Sequence, residues 1–495
     1  MVREKIQIEA QHAELSFQTR RHFLKKCRTG MGMMALGSIL DGCNLFSNNN
    51  NNPLAANPLM AKAPHFAGKA KSVIFLHMAG APSQLEMFDY KPELQKMDGM
   101  DCPESFIKGK KFAFIRGVPK LLGPQTQFKQ YGESGLWLSD NLPHFKQVID
   151  DVSLLKAVNT DQFNHAPAQL LMHCGTPRLG RPSMGSWVTY GLGTENSNLP
   201  GFVVLTSGGR NPDSGKSVWG SGFLPSVYQG IQCRSEGDPV LFLKDPNGFS
   251  RDLRKSSIEA INQVNELAYQ EYNDPEILSR IAQYEMAFKM QVAVPDVMSI
   301  ADEPAYIHEM YGTKPGQESF ANNALLARKL VEKGVRFVQL YDWGWDSHGT
   351  DPGTALDMGF VNKCMETDKA VTALLLDLKQ RGLLDETLVV WGGEFGRTPM
   401  QENRDGIQNY HKGRDHHSDA FTMWMAGGGV KGGFSHGETD PIGYNAIDGK
   451  VSVYDVQATI LNQLGFDHEQ LTYQFQGRQF RLTDVFGKVI EPVIA

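Results

Sequence analysis

VRFVQLYDWGWDSHG, residues 335–349, stays largely apolar from Val335 to Trp343 and then turns polar at Asp346 and His348. Continuous rather than alternating apolarity suits a strand covered on both faces, as in a parallel sheet. KSVIFLHMAG (71–80), VSLLKAV (152–158), GFVVLTSGG (201–209), ETLVVWGGEFG (386–396) and AFTMWMAGGG (420–429) have the same character. Segments of helical period lie between them. Ile258, Ile261, Val264 and Leu267 recur every three residues. The stretch 274–294 opens with Asp274 as a cap and Pro275 in the first turn, and 318–334 ends on Lys333 and Gly334. Residues 357–382 end on Arg381 and Gly382, and 453–465 form a short amphipathic repeat. Strands alternating with helices predict an α/β fold, a mostly parallel sheet sandwiched by helices.

The remaining features are those of an ordinary globular chain. Of 495 residues, 41% are apolar and 21% charged, enough for a large core. The formal charge of -6, with no basic stripe, argues against a nucleic-acid partner. Six scattered cysteines form no CxxC pair, so neither a zinc ribbon nor a disulfide framework is readable.

The first 43 residues read as a leader. Arg20 and Arg21 in TRRHFLKKC (19–27) precede the short apolar stretch 30–40, too short to span a bilayer. This is the pattern of a twin-arginine signal peptide; a basic patch on a frayed terminus is the other reading. It predicts use of an export machinery for folded proteins and a periplasmic or cell-surface destination. LDGC (40–43) leaves room for a lipid anchor at Cys43, although Asp41 suits such a cleavage site poorly. The Asn-rich stretch 44–68 reads as a linker, and 69–495 as one domain.

Ligands of open α/β sheets gather beyond the carboxyl ends of the strands. Beyond 336–341 come Asp342, Asp346 and His348; beyond 387–391 come Glu394 and Arg397. Asp161, Asn164 and His165 follow 152–158, and Ser83, Glu86 and Asp89 follow 73–78. GRDHHSDAF (413–421) lies on the long loop from Glu394 to Ala420, which is expected to fold back over this edge. Asp346 and His348, two apart on extended chain, point to one side, and His416 or His417 completes a metal-ligand set. A mixed His/carboxylate set suits zinc or manganese better than calcium or magnesium. Plainer readings stand beside these. His348 caps a helix, Arg414 and Asp415 form a surface ion pair of little worth, His411 and His417 are exposed, and His173 and Cys174 are core. Arg397 either pairs with Glu394 or holds an anionic substrate.

RRHFLKK, FLHMAGAPSQLEMFDYKPEL, NHAPAQLLMHCG, WDSHG, GGEFGRTP, GRDHHSDAFTMWMAGGGVKGG and YDVQATILNQLG together resemble one exported bacterial family. It is the domain-of-unknown-function family numbered fifteen hundred and one, sulfatase-like and placed in the alkaline phosphatase-like superfamily. The likeness runs from about Lys71 to Phe486. It implies an alkaline phosphatase-like fold and a metal-dependent hydrolase of sulfate or phosphate esters. The substrate implied is an anionic small molecule or polysaccharide. His165 stands in the slot of the superfamily's nucleophile, where Ser, Thr or Cys is usual. In the strand that should end Asp-His-Gly, Glu394-Phe395-Gly396 keeps one carboxylate and loses one His. The resemblance implies one divalent-metal site of Asp346, His348, Glu394 and His416. His165 is then a general base, an acceptor of the transferred group or a further ligand, with Arg397 and Asn164 on the anionic oxygens. The competing reading is a non-catalytic descendant that binds a glycan or a surface partner.

Overall fold

The computed structural model describes residues 57–234, 239–240, 250–404 and 406–495. The leader over 1–43, Cys43 and the first part of the expected linker lie outside the described residues. Residues 57–68, also read as linker, pack on the body instead. Leu59 is buried in an apolar core, and the backbone N–H groups of Lys62 and Phe66 donate to Leu192 O (2.8 Å) and Gly465 O (3.1 Å). Among the described residues, no helix is long and apolar enough to cross a membrane.

Among the described residues, nine strands form the central sheet. In chain order these and one accessory ribbon are β1 (Ser72–Ala79), β2 (Val152–Asn159), β3 (Phe202–Ser207), β4 (Ile231–Cys233), β5 (Phe337–Trp343) and β6 (Thr387–Gly392). The ribbon strands β7 (Gly396–Gln401) and β8 (Arg414–His417) come next, followed by β9 (Phe421–Ala426), β10 (Phe434–His436) and β11 (Val451–Ser452). The sheet order is β10-β2-β9-β6-β1-β5-β3-β4, with β11 also pairing β2. All pairs are parallel except the two made by β9, which runs antiparallel to both β6 and β2. The expected mostly parallel sheet is therefore present with one reversed strand.

Side chains of each inner strand alternate between two cores. Ile74, Leu76 and Met78 join Val338, Leu340 and Val389 on one face. There they meet α5 (Phe320–Glu332) and α6 (Gly359–Gln380). Val73, Phe75, Tyr341 and Val390 face the other way, onto α1 (His165–Cys174), α2 (Met184–Leu192) and α7 (Val453–Gln463). A strand buried on both faces has no polar face to alternate with, which is why these runs are continuous. The Asp274–Pro275 signal also finds its physical cause. Asp274 accepts from the Glu276 N–H at the start of α4 (Pro275–Met298), which follows α3 (Arg251–Tyr272).

The segment 394–420, expected as a loop, carries a two-stranded antiparallel ribbon of β7 and β8. His416 pairs with Arg397 and His417 with Gly396, and a bulge falls between Arg414 and His416. The bulged Asp415 turns its carboxylate onto the N–H groups of Phe114 (2.8 Å), Ile115 (3.0 Å) and His416 (2.8 Å). Arg414 and Asp415 are thus not a surface pair. Arg414 is fully buried and clamps Glu86 with Nη2 (2.8 Å) and Nε (3.2 Å), while its guanidinium also reaches Thr398 O and Gly123 O. His417, read as exposed, is buried and donates to Tyr444 O at 2.5 Å.

Removing one partner of a buried ion pair strands the other charge. Arg414→Ala is therefore expected to cost about 3–5 kcal/mol in denaturant unfolding, and Glu86→Ala a similar amount. The double variant should lose much less than the two single losses together. Strict additivity would show that this pair does not anchor the ribbon.

Candidate metal centre

Three separate segments meet at the carboxyl edge of the sheet. His165 opens α1 after β2; Asp346 and His348 follow β5; His416 is delivered by β8. One ligand atom from each of these four residues lies within 4.8 Å of all the others. Asp346 Oδ1 is 2.8 Å from His348 Nε2, 3.3 Å from His165 Nε2 and 3.4 Å from His416 Nε2. The Nε2 atoms of His348 and His416 are 3.2 Å apart.

The opposite ring nitrogens are all occupied. His165 Nδ1 donates to Glu394 Oε1 at 2.7 Å, His348 Nδ1 to Glu402 Oε2, and His416 Nδ1 to Phe163 O at 2.7 Å. Carboxylates and carbonyls only accept, so the proton sits on Nδ1 in each neutral ring and the Nε2 lone pairs face one point. This is the arrangement that outer carboxylates impose on metal-binding histidines. The donor set passes a direct test. A tetrahedral zinc site with bonds of about 2.0–2.1 Å has ligand–ligand edges of about 3.3–3.4 Å, close to three of the four separations above. His165 Nε2 is, besides, a buried nitrogen without a hydrogen-bond partner. His165, Asp346, His348 and His416 therefore fit a divalent cation. Asp346 keeps 30% of its side-chain surface exposed and His165 15%, so the site opens to solvent on their side.

Two glycines permit this convergence. Gly80 ends β1 at φ +110°, and a Cβ there would lie 2.6 Å from Asp346 N. At Gly413 a Cβ would lie 2.0 Å from the His348 carbonyl carbon, so only glycine lets the ribbon approach that histidine.

The electrostatics follow from the partners. Burial opposes charge on His165, but its bonds to Asp346 and Glu394 outweigh that and push its pKa up to about 9. His348 is raised against the same burial by Asp346 and Glu402. Burial lowers His416 to about 4, with Arg397 reinforcing the shift against Asp346. Asp346 is itself buried, yet Arg397 and the three imidazoles hold it far below the usual carboxylate range.

Arg397 does not stand free to hold a substrate. It is fully buried and donates to Ala81 O (2.9 Å), Gly80 O (2.5 Å), Arg414 O (3.0 Å) and Asp346 Oδ1 (2.5 Å). Its task is to orient Asp346. Glu394, expected as a ligand, sits behind His165, which takes its place in the cluster. Glu394 Oε1 accepts from His165, Gly80 N–H (3.1 Å) and Gln169 (3.2 Å), while Oε2 lies 3.3 Å from His77 Nε2. The carboxylate points back over β1 because the Gly80 turn offers it an N–H there. Behind it a buried chain continues from His77 Nδ1 to His173 Nε2 (3.1 Å) and from His173 Nδ1 to Gln339 Nε2 (2.7 Å). Asn164 is the exposed N-cap of α1 and makes no capping bond with its side chain.

Other acids at this edge belong elsewhere. Asp342 is tied to Lys363 (2.9 Å), Ser207 (2.7 Å) and Trp345 (3.0 Å), and Asp89 to Thr439 (2.6 Å). No spacing rule in the sequence points to Glu402; the chain just after β7 brings it against His348 Nδ1.

The family described as "Protein of unknown function (DUF1501)" matches residues 70–494. No curated protein matches the chain. Among solved structures, a TAB5 alkaline phosphatase mutant with magnesium bound is 12% identical, with 81% of this chain and 99% of that one covered and a TM-score of 0.33. The PsFucS1 sulfatase from Pseudoalteromonas sp. is 12% identical over 80% and 68% of the two chains, with a TM-score of 0.35. A phosphonate monoester hydrolase from Silicibacter pomeroyi is 11% identical over 71% of each, with a TM-score of 0.33.

The outer carboxylates give the centre its own test. Glu402→Gln and Glu394→Gln should each weaken zinc binding about 10- to 100-fold in competition with a chromogenic chelator. Unchanged zinc affinity in both would separate these carboxylates from any metal role.

Proposed function

This chain belongs to the DUF1501 family, and we propose that it is a metal-dependent hydrolase of sulfate or phosphate esters. The observation that carries the proposal is the convergence of three imidazole Nε2 atoms and one carboxylate oxygen at the carboxyl edge of the sheet, each imidazole fixed from behind through Nδ1. A surface cluster of chance origin has no reason to satisfy the outer nitrogen of every histidine. The sequence motifs shared with sulfatase-like proteins of the alkaline phosphatase-like superfamily supply the reaction class.

His165, Asp346, His348 and His416 would hold the cation, and their chemistry favours zinc or manganese over magnesium or calcium. A divalent cation there supplies Lewis acidity toward an ester oxygen and toward water. The chain's own residues do the rest. Arg397 keeps Asp346 ionised and fixed; Glu394 and Glu402 set the ring orientation of His165 and His348. His165 Nδ1 bonds Glu394, while its Nε2, without a hydrogen-bond partner, faces Asp346 and the rest of the cluster. It is therefore a ligand rather than a base or a carrier of the transferred group. That favours direct hydrolysis without a covalent intermediate at this position. Asn164, exposed beside His165, is placed to donate its amide to an oxygen of the substrate. The twin-arginine leader supports export in the folded state to the periplasm or cell surface, with Cys43 as the residue for a lipid anchor. An anionic small molecule or polysaccharide is the substrate class this setting suits.

The test is metal content combined with turnover. The purified protein should carry a stoichiometric divalent ion and hydrolyse at least one of 4-nitrophenyl sulfate, 4-nitrophenyl phosphate and bis(4-nitrophenyl) phosphate. His348→Ala should lose the ion and at least about 100-fold in turnover. A metal-free protein without turnover would leave the binding-protein reading. A held ion with no turnover on any ester would limit the centre to structure or binding.

A further inference from the structure

We propose that the site selects esters bearing further anionic groups, and that Arg210 and Arg404 recognise them. The reacting ester is taken from the hydrolase reading above; the recognition stands on its own geometry. The buried arginines of the centre are spent. Arg397 and Arg414 are fully buried and donate to protein oxygens, so neither has a fork to offer a substrate. The exposed cations near the centre are different residues, Arg210 and Arg404.

Arg210 lies on the loop after β3 and stacks its guanidinium 3.6 Å from the centroid of the Trp343 ring. That ring is 6.2 Å from the His165 ring. Arg404 stacks 4.3 Å from Phe114, whose ring is 5.1 Å from His348 and 5.7 Å from His416. Taken end to end, these distances place both guanidinium carbons within about 10 Å of a cluster imidazole. That is comparable to the screening length of about 8 Å at physiological ionic strength, so both charges act on an anion in the site. Their side chains are 53% and 43% exposed. Each gives one N–H to a neighbouring carboxylate, Asp213 at 2.5 Å and Glu402 at 2.8 Å. Among the described residues no hydrogen bond takes their other donors. Stacking on an aromatic face holds a guanidinium flat while its N–H groups point outward from the ring edge, ready for a sulfate or phosphate.

Both positions are built into the centre. A Cβ at Gly208 (φ +83°) would lie 2.3 Å from Trp343 O, so a glycine lets the Arg210 loop lie on Trp343. Ser214 fixes the far end of that loop by donating from N–H to Gln169 Oε1 (3.1 Å) and from Oγ to Ala166 O (2.5 Å), on the first turns of the helix that carries His165. Arg404 follows by two residues the Glu402 that holds His348. Each arginine is thus one short link from a different cluster histidine. The substrate this fits carries its reacting ester at the cation and further anionic groups within about 10 Å of it, as a multiply sulfated oligosaccharide or a polyphosphorylated small molecule does.

The experiment compares multiply charged with singly charged esters in the metal-loaded protein. One arm uses a trisulfated heparin disaccharide against 4-nitrophenyl sulfate, the other inositol hexakisphosphate against 4-nitrophenyl phosphate. The arm that shows turnover identifies the source of the anionic groups. In that arm Arg210→Ala and Arg404→Ala should each lower the kcat/KM ratio of polyanion to monoanion about tenfold, and the double variant about a hundredfold. The lysine variants should recover part of the ratio, and metal content should match the wild type throughout. A ratio unchanged in the double variant overturns the proposal. Should the wild type hydrolyse neither ester type, the hydrolase reading fails, and recognition is then read from calorimetric Kd for the two polyanions. A tenfold weakening in the variants upholds it, and equal Kd values overturn it.

Discussion

Asp346 Oδ1 sits at the centre of the ligand cluster. It lies within 3.4 Å of three imidazole nitrogens and 2.5 Å from the Arg397 guanidinium. Burial opposes the charge of this carboxylate, and the buried Arg397 together with the three imidazoles outweighs that opposition. The same guanidinium also binds the carbonyls that end β1 and the one at Arg414. One side chain therefore couples the sheet edge, the ribbon and the ligand set. Everything proposed for the centre depends on that coupling.

The scaffold makes the coupling possible. Four parallel strands stop at one edge, and each hands the chain to a turn that carries a polar group: Gly80 from β1, His165 from β2, Asp346 from β5 and Glu394 from β6. The ribbon returns across this edge and is locked by Glu86–Arg414 on one side and by the bulged Asp415 on the other. Two shells result. The inner one is three histidines and an aspartate; the outer one is Glu394, Glu402 and a main-chain carbonyl. Behind Glu394 the His77–His173–Gln339 chain carries polar order into the sheet itself, where burial drives His173 well below its ordinary pKa and His77 beside it adds to the shift. A buried network of this kind is stable only when its members are satisfied together.

Much of this was legible in the sequence, for physical reasons. Val73 to Met78 and Phe337 to Tyr341 are apolar throughout because both sheet faces are covered, and this gave the fold class. Asp346 and His348 followed from the rule that ligands collect at strand ends; that rule left His416 and His417 as alternatives, and the family resemblance favoured His416. Strand direction was not legible, since β9 is as apolar as its parallel neighbours. Nor could a linear pattern say which way a carboxylate faces. Glu394 was placed in the ligand set, yet it turns inward because the Gly80 N–H and His165 Nδ1 lie there. Arg397, Arg414 and His417 carry polar side chains that usually mark a surface, but each is buried by partners far away in the chain. Glu402 gave no signal, because its role depends on how the ribbon folds back over His348.

X-ray absorption at the metal edge of the loaded wild-type protein addresses the ligand set most directly. The account predicts imidazole scattering from three histidines and an oxygen shell from one carboxylate, lost in part when His165, His348 or His416 is replaced. A spectrum without imidazole scattering, or one unchanged by all three replacements, would contradict a cation held by these residues and leave the cluster as a network of structural hydrogen bonds.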